Sequence, residues 1–234
     1  MFQTFITDND LFKVWSSEHW IWLLYAVISL VLFVQLGRKS DFTKQTNIGG
    51  FISMIGVIVW VIVEIVMFST NQAPLSSTLP FHLCFFLNLL LPFVMYGRRF
   101  AFFDVIYPLI MAGCLQALFT PDLTTAFPGY YSLRYWFVHI GLVQCILYAV
   151  FVYKWRPTIW SVPKALLFCN VYMLFVYFVN SWLGTNFMYL NKKPPGSILD
   201  YLGEHYLLYA QLLAAVFFFI VWLPFAFKPK STTP

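Results

Sequence analysis

Residues 48–69 read Ile48-Gly-Gly-Phe-Ile-Ser-Met-Ile-Gly-Val-Ile-Val-Trp-Val-Ile-Val-Glu64-Ile-Val-Met-Phe-Ser69, 22 residues with a single charge. The hydrocarbon core of a bilayer is spanned by about 20 predominantly apolar residues of helix, so this stretch predicts a membrane span. The composition agrees: 61% hydrophobic, 21% aromatic and 10% charged residues describe a chain whose solvent is largely lipid. Polar groups inside such a chain need a physical reason to be there.

Working outward from this stretch, seven segments approach or reach spanning length, at about 20–37, 48–69, 79–96, 99–119, 134–153, 164–183 and 205–227. Turn-forming residues part most of them: Gly37-Arg38-Lys39, Gly97-Arg98-Arg99, Pro121, Pro128-Gly129, Arg156-Pro157, Pro163 and Pro194-Pro195-Gly196. No hydrophilic block interrupts the pattern, so residues 1–234 are expected to form a single membrane domain. Cys84, Cys114, Cys145 and Cys169 all fall in apolar runs and are expected as packed small hydrophobes, not a disulfide framework. A cleavable signal is not expected, because Asp8, Asp10 and Glu18 interrupt the first twenty residues. Phe2, Phe5, Phe12 and Trp15 among polar neighbours read instead as a segment lying on the membrane surface.

Ten of the 14 basic residues follow odd-numbered spans: Arg38, Lys39 and Lys44, then Arg98 and Arg99, then Lys154, Arg156 and Lys164, then Lys228 and Lys230. The positive-inside rule then puts the N-terminus outside and the C-terminus in the cytoplasm, which an odd number of spans satisfies. The expected fold is an all-α, multi-pass integral membrane protein of the cell membrane, a seven-transmembrane-helix bundle. The net charge of +5 serves this orientation, since no basic face on a soluble module is present to bind nucleic acid.

With the topology set, the intramembrane polar residues share one depth. Glu64 lies roughly 9 Å inside the outer end of the second span, at about 1.5 Å of rise per residue. His82 opens the third span, Gln116 sits in the last outer turn of the fourth, His139 about one turn into the fifth and Asn180 one turn from the outer end of the sixth. Buried ionisable groups cost about 2.5–3.5 kcal/mol each on insertion scales and face protein or a wet cavity. An outward-facing polar pocket lined by these five residues is the simplest arrangement. Asn170, Met173, Tyr177, Asn180 and Gly184 recur at helical spacing and are assigned to the interior face of the sixth span. Gln116, Asn170 and Tyr177 equally suit plain interhelical hydrogen bonds, and His19 and His205 lie at the interface, where histidine is cheap.

Two imidazoles and a carboxylate can run acid–base chemistry. No Gly-x-Ser-x-Gly elbow supplies a nucleophile. In a regular helix His82 and Cys84 are separated by about 200°, so their side chains are expected to point apart, leaving Cys84 to contact substrate. Ser76, Ser77 and Thr78 are further nucleophile candidates with nothing to rank them. The histidines show no His-x-x-x-His spacing, so neither a metal nor another cofactor is expected.

Ser16-Ser17-Glu18-His19, Leu79-Pro80-Phe81-His82-Leu83-Cys84, His139 and Gly184-Thr-Asn186-Phe-Met-Tyr189-Leu-Asn-Lys-Lys-Pro194-Pro195, with Leu199-Asp200 and Leu202-Gly203, form a fingerprint. It resembles that of the YwaF-type bacterial integral membrane family over nearly the whole chain. That family is distantly similar to an animal phospholipid acyltransferase, which carries a cysteine immediately before the matching histidine; here that position is Phe81. The resemblance implies a membrane lipid as partner and leaves His82 and His139 as the functional histidines.

These readings converge on a membrane-embedded acyltransferase or lipid hydrolase. His82 and His139 are expected as acid and base, Glu64 as the group orienting one of them, and Gln116 or Asn180 as oxyanion donors. Asn186 and Tyr189 are expected to close over the substrate from the loop above. The alternative is a carrier or binding protein for a small polar or lipidic molecule, possible proton coupling included.

Overall fold

The computed structural model describes residues 11–71, 78–123, 125–193 and 203–226. The described residues are helical apart from loops and one isolated bridge between Leu11 and Thr125. The helices are α1 (Ser17–Arg38), α2 (Phe42–Ser69), α3 (Leu83–Tyr96), α4 (Phe100–Phe119), α5 (Tyr130–Phe151), α6 (Ser161–Leu183) and α7 (Tyr206–Trp222), the last extended by a 3₁₀ turn at Leu223–Phe225. All but α3 are long and apolar enough to cross a membrane. Helix α3 has 14 residues, about 21 Å at 1.5 Å per residue and short of a 30 Å core.

Short polar caps start the first two helices. Ser16 accepts from the His19 amide at 3.4 Å, and Asp41 from the Lys44 amide at 2.9 Å, each satisfying an orphan donor of a first turn. Helix α5 is the central post: 72% of its spanning window is buried, against 6% for α7. Helices α1, α2 and α3 pack on α5, while α6 and α7 pack against α4.

Helix α2 packs closely on α3 and α5 because it presents small residues to them. Gly49, Gly50, Ser53 and Gly56 are buried on it. Between membrane helices, where lipid is as apolar as leucine, such close approach supplies the packing energy. A Cβ on Gly49 would sit 2.3 Å from the Tyr153 hydroxyl, and one on Gly56 2.4 Å from Asn88 Oδ1.

The expected interior face of α6 is corrected. Asn170 and Tyr177 are exposed, and the buried line is Ser161, Ala165, Tyr172, Val176 and Asn180. Asn170 donates to the Leu166 carbonyl at 2.8 Å within its own helix. A polar side chain that satisfies itself on the preceding turn gives no reason for burial.

At the end of the bundle away from the cavity described below, Asp104 of α4 is 1% exposed and holds the start of α6. Its carboxylate accepts from the Thr158 amide at 2.8 Å, the Thr158 hydroxyl at 3.0 Å, Lys164 Nζ at 2.7 Å and the Ser161 hydroxyl. The sequence reading did not single out this residue. Asp104→Ala removes an N-terminal anchor and one partner of a half-exposed lysine, so it is expected to cost about 2–3 kcal/mol. In detergent this should lower the thermal midpoint by roughly 5–10 °C, and an unchanged midpoint would refute the anchor.

Candidate functional site

Helix α4 holds Pro108 in its interior, and a π turn follows at Ile110–Cys114. Proline has no amide to donate and crowds the carbonyl four residues back, and π turns are a common way for a helix to absorb such a disruption. From this turn onward Gly113, Gln116, Ala117 and Thr120 face a cavity of about 430 Å³. The start of α3 adds His82, Cys84 and Phe85; the start of α5 adds Arg134, Tyr135 and His139; the loops add Asp122 and Tyr189. All of these come from one end of the bundle.

Cys84 and His82 share this cavity, contrary to the helical-rotation argument. Helix α3 begins only at Leu83, and His82 precedes it with extended backbone (φ −68°, ψ 137°), so the 200° separation does not apply. The hydroxyl of Tyr172 donates to the Phe81 carbonyl at 3.2 Å and fixes this entry.

The thiol of Cys84 faces the same cavity as the imidazole of His139 and lies 3.7 Å from the Cys114 sulfur. His139 Nδ1 is 2.8 Å from the Tyr135 carbonyl. A carbonyl only accepts, so Nδ1 carries the proton and Nε2 keeps its lone pair. The Tyr135 ring lies over the imidazole with centroids 4.2 Å apart. The base beside Cys84 is therefore held in one tautomer and one orientation.

His82 has the opposite arrangement. Its Nδ1 accepts from the Met188 amide at 3.4 Å, which leaves the proton on Nε2. Met188 and Tyr189 both have φ of +56°, a left-handed conformation that non-glycine residues adopt at some cost, often at functional positions. Asn180 sets this turn. It is 1% exposed, donates to the Phe187 carbonyl at 3.0 Å, and accepts from the Phe187 amide at 2.8 Å and the Thr185 hydroxyl at 2.9 Å. Its hydrogen bonds are spent on the turn, and it is not among the residues facing the cavity.

Tyr189 closes one side of the cavity, its ring 5.7 Å from that of His82 and its hydroxyl donating to Asp122 at 3.4 Å. Burial and the Asp122 carboxylate push this phenol above its ordinary pKa, so it stays a donor. Asn186 organises the same loop, accepting from the Asn191 amide at 3.0 Å and the Lys192 amide at 3.1 Å, and donating to the Lys192 carbonyl.

Glu64 does not meet a histidine. It pairs with Arg134 at the start of α5. Both side chains are largely buried, and the guanidinium also sits 4.9 Å from the Phe85 ring and 4.8 Å from that of Tyr131. The carboxylate thus positions a cation at the cavity wall. Arg134, Tyr135, Asp122 and Cys114 are the members the sequence reading missed. A signal existed for one: Tyr135 precedes His139 by four residues, one helical turn on the same face.

Two histidines are placed elsewhere. His19 is fully buried, accepting from the Trp15 amide at 3.0 Å and donating to the Leu118 carbonyl at 2.8 Å, which ties the start of α1 to the end of α4. His205 is exposed ahead of α7. Ser76, Ser77, Phe2, Phe5 and the segment 194–202 lie outside the described residues. No group of three or more metal-ligating side chains occurs among the described residues.

The structure therefore defines an all-helical, multi-pass membrane protein with a thiol and two imidazoles lining a polar cavity at one end of its bundle. The chain belongs to the TMEM164 family, whose model matches residues 14–222. No curated protein and no solved structure matches it.

Proposed function

We propose that this protein is a membrane-embedded acyltransferase or lipid hydrolase that works through Cys84 and His139 on a membrane lipid ester. The observation that carries this reading is a cavity that brings the Cys84 thiol together with a His139 whose Nδ1 proton is committed to the Tyr135 carbonyl. A thiol beside a base of fixed tautomer is the arrangement nucleophilic acyl transfer requires.

In the first step His139 Nε2 takes the Cys84 proton and the sulfur attacks the ester carbonyl carbon. The carbonyl oxygen becomes an oxyanion, for which the Nε2 proton of His82 and the amide of Gln116 are the donors at hand. As the tetrahedral species collapses, the carbon–oxygen bond to the leaving alkoxide breaks and that oxygen takes the proton from His139. The acyl group is now a thioester on Cys84. In the second step His139 deprotonates an incoming hydroxyl, of a second lipid or of water, which attacks the thioester and returns the thiol.

The YwaF-like fingerprint and its likeness to a phospholipid acyltransferase support this reading, and Cys84 supplies a nucleophile that Phe81 does not. Glu64 acts through Arg134 in this scheme, and Asn180 and Asn186 act by shaping the turn that carries Tyr189. We further propose a seven-span bundle in the cell membrane, with the N-terminus and the cavity outside. The basic residues 38, 39, 98, 99, 154, 156 and 164 all sit near the opposite end of the helices. A carrier is disfavoured because every residue facing the cavity comes from one end of the bundle.

The test is lipid mass spectrometry on cells expressing wild type, Cys84→Ala and His139→Ala at matched protein levels. A change in acyl composition with wild type, absent in both variants, is expected. Identical lipid profiles in all three strains would overturn the proposal for the host's lipids.

A further inference from the structure

Cys114 has no part in the acyl-transfer scheme, yet it is placed against the residue that scheme depends on. Its sulfur lies 3.7 Å from that of Cys84 across the α3–α4 contact. A disulfide bond is about 2.05 Å long, so the two sulfurs already in contact are the atoms it would join. The π turn at Ile110–Cys114 ends on this cysteine and sets its register. The two thiols differ in access. Cys84 faces the cavity and is partly exposed, whereas Cys114 is 2% exposed behind it. Cys145 and Cys169 are absent from the cavity lining.

We propose that Cys84 and Cys114 form an oxidisable pair, Cys84 reacting with a hydroperoxide that enters the cavity and Cys114 resolving the product as a disulfide. The geometry of the pair carries this inference, which stands whether or not the acyl-transfer reading holds. His139 accepts the Cys84 proton, and the thiolate attacks the peroxide oxygen. The oxygen–oxygen bond breaks, the departing hydroxide (or alkoxide, from an organic hydroperoxide) takes the proton from His139 and leaves as water or an alcohol, and Cys84 becomes a sulfenic acid. The Cys114 sulfur then attacks the sulfenic sulfur; its proton and the departing hydroxide form water, and the sulfur–sulfur bond closes. One peroxide is reduced and two thiols are oxidised.

Two consequences distinguish a pair from a lone reactive cysteine. The disulfide removes the nucleophile reversibly, so a thiol reductant restores it. It also intercepts the sulfenic acid before further oxidation to the sulfinic and sulfonic acids, which are not reduced by thiols. On the orientation favoured by the basic loops, this end of the bundle faces away from the cytoplasm, where disulfides persist.

The test uses the purified full-length protein in lipid nanodiscs, treated with hydrogen peroxide, alkylated and digested without reductant. In wild type, the expected product is a cross-linked peptide joining Cys84 and Cys114 that dithiothreitol separates. In Cys114→Ser, the cross-link should vanish and Cys84 should accumulate as sulfinic and sulfonic acid, with loss of its dithiothreitol-recoverable thiol. Cys114→Ala, run alongside, should give the same shift, and monodisperse elution of both variants shows that they fold. Free Cys84 in peroxide-treated wild type, or overoxidised Cys84 at the same rate with and without Cys114, would overturn the proposal. So would a cross-link from Cys84 to Cys145 or Cys169.

Discussion

His139→Gln is expected to slow lipid acyl turnover about 10²–10⁴-fold, the usual contribution of a positioned general base, and Cys84→Ala to slow it at least as far. The two variants should fail at different points. Cys84→Ala has no sulfur to acylate, so no label from an acyl-labelled lipid should remain on the protein after denaturation. His139→Gln retains the sulfur but lacks the base for both steps, so any thioester that forms should persist longer than in wild type. Treatment with neutral hydroxylamine, which cleaves thioesters, reads the difference directly. Label that stays on Cys84→Ala protein and resists hydroxylamine would remove Cys84 from the mechanism. His82→Gln is a milder change, because a glutamine amide still donates toward the carbonyl oxygen. If its loss equals that of His139→Gln, the roles given to the two histidines must be exchanged.

The membrane character of the chain was legible from the 22 residues around Gly56 and from the recurrence of similar stretches. The clustering of His82, Gln116 and His139 at one end was legible as well, because helix length and charge placement fix depth without knowledge of rotation. Rotation is what the sequence hides. The inward face of α6 was misplaced because Asn170 satisfies itself on the Leu166 carbonyl, and nothing in its spacing reveals that. The Cys84–His82 separation was misjudged because one extended residue before Leu83 resets the phase of the helix. The partnership of Cys84 with His139 and Cys114 depends on how three helices meet, and no local pattern records it. The same holds for Asn180, whose polarity is spent on the Phe187 turn.

Glu64 carries the second large effect, on stability more than on chemistry. Its carboxylate and the Arg134 guanidinium have side-chain exposures of 11% and 18%, so each would be costly to bury alone. Glu64→Ala leaves the guanidinium with only the rings of Phe85 and Tyr131, and breaking such a pair from one side is expected to cost about 3–5 kcal/mol. Removing both charges avoids that penalty. The double variant Glu64→Met with Arg134→Met should regain most of the loss, since a well-packed apolar pair often matches a buried ion pair in stability. Activity should not follow stability. The double variant lacks the cation at the cavity wall, so it should unfold near the wild-type temperature while processing lipid poorly. A double variant as active as wild type would mean that the pair serves folding alone. One as unstable as Glu64→Ala would mean that the carboxylate has a further partner. Measuring thermal midpoint and lipid turnover on the same three preparations separates these outcomes, because a folding role moves the two together and a site role moves them apart.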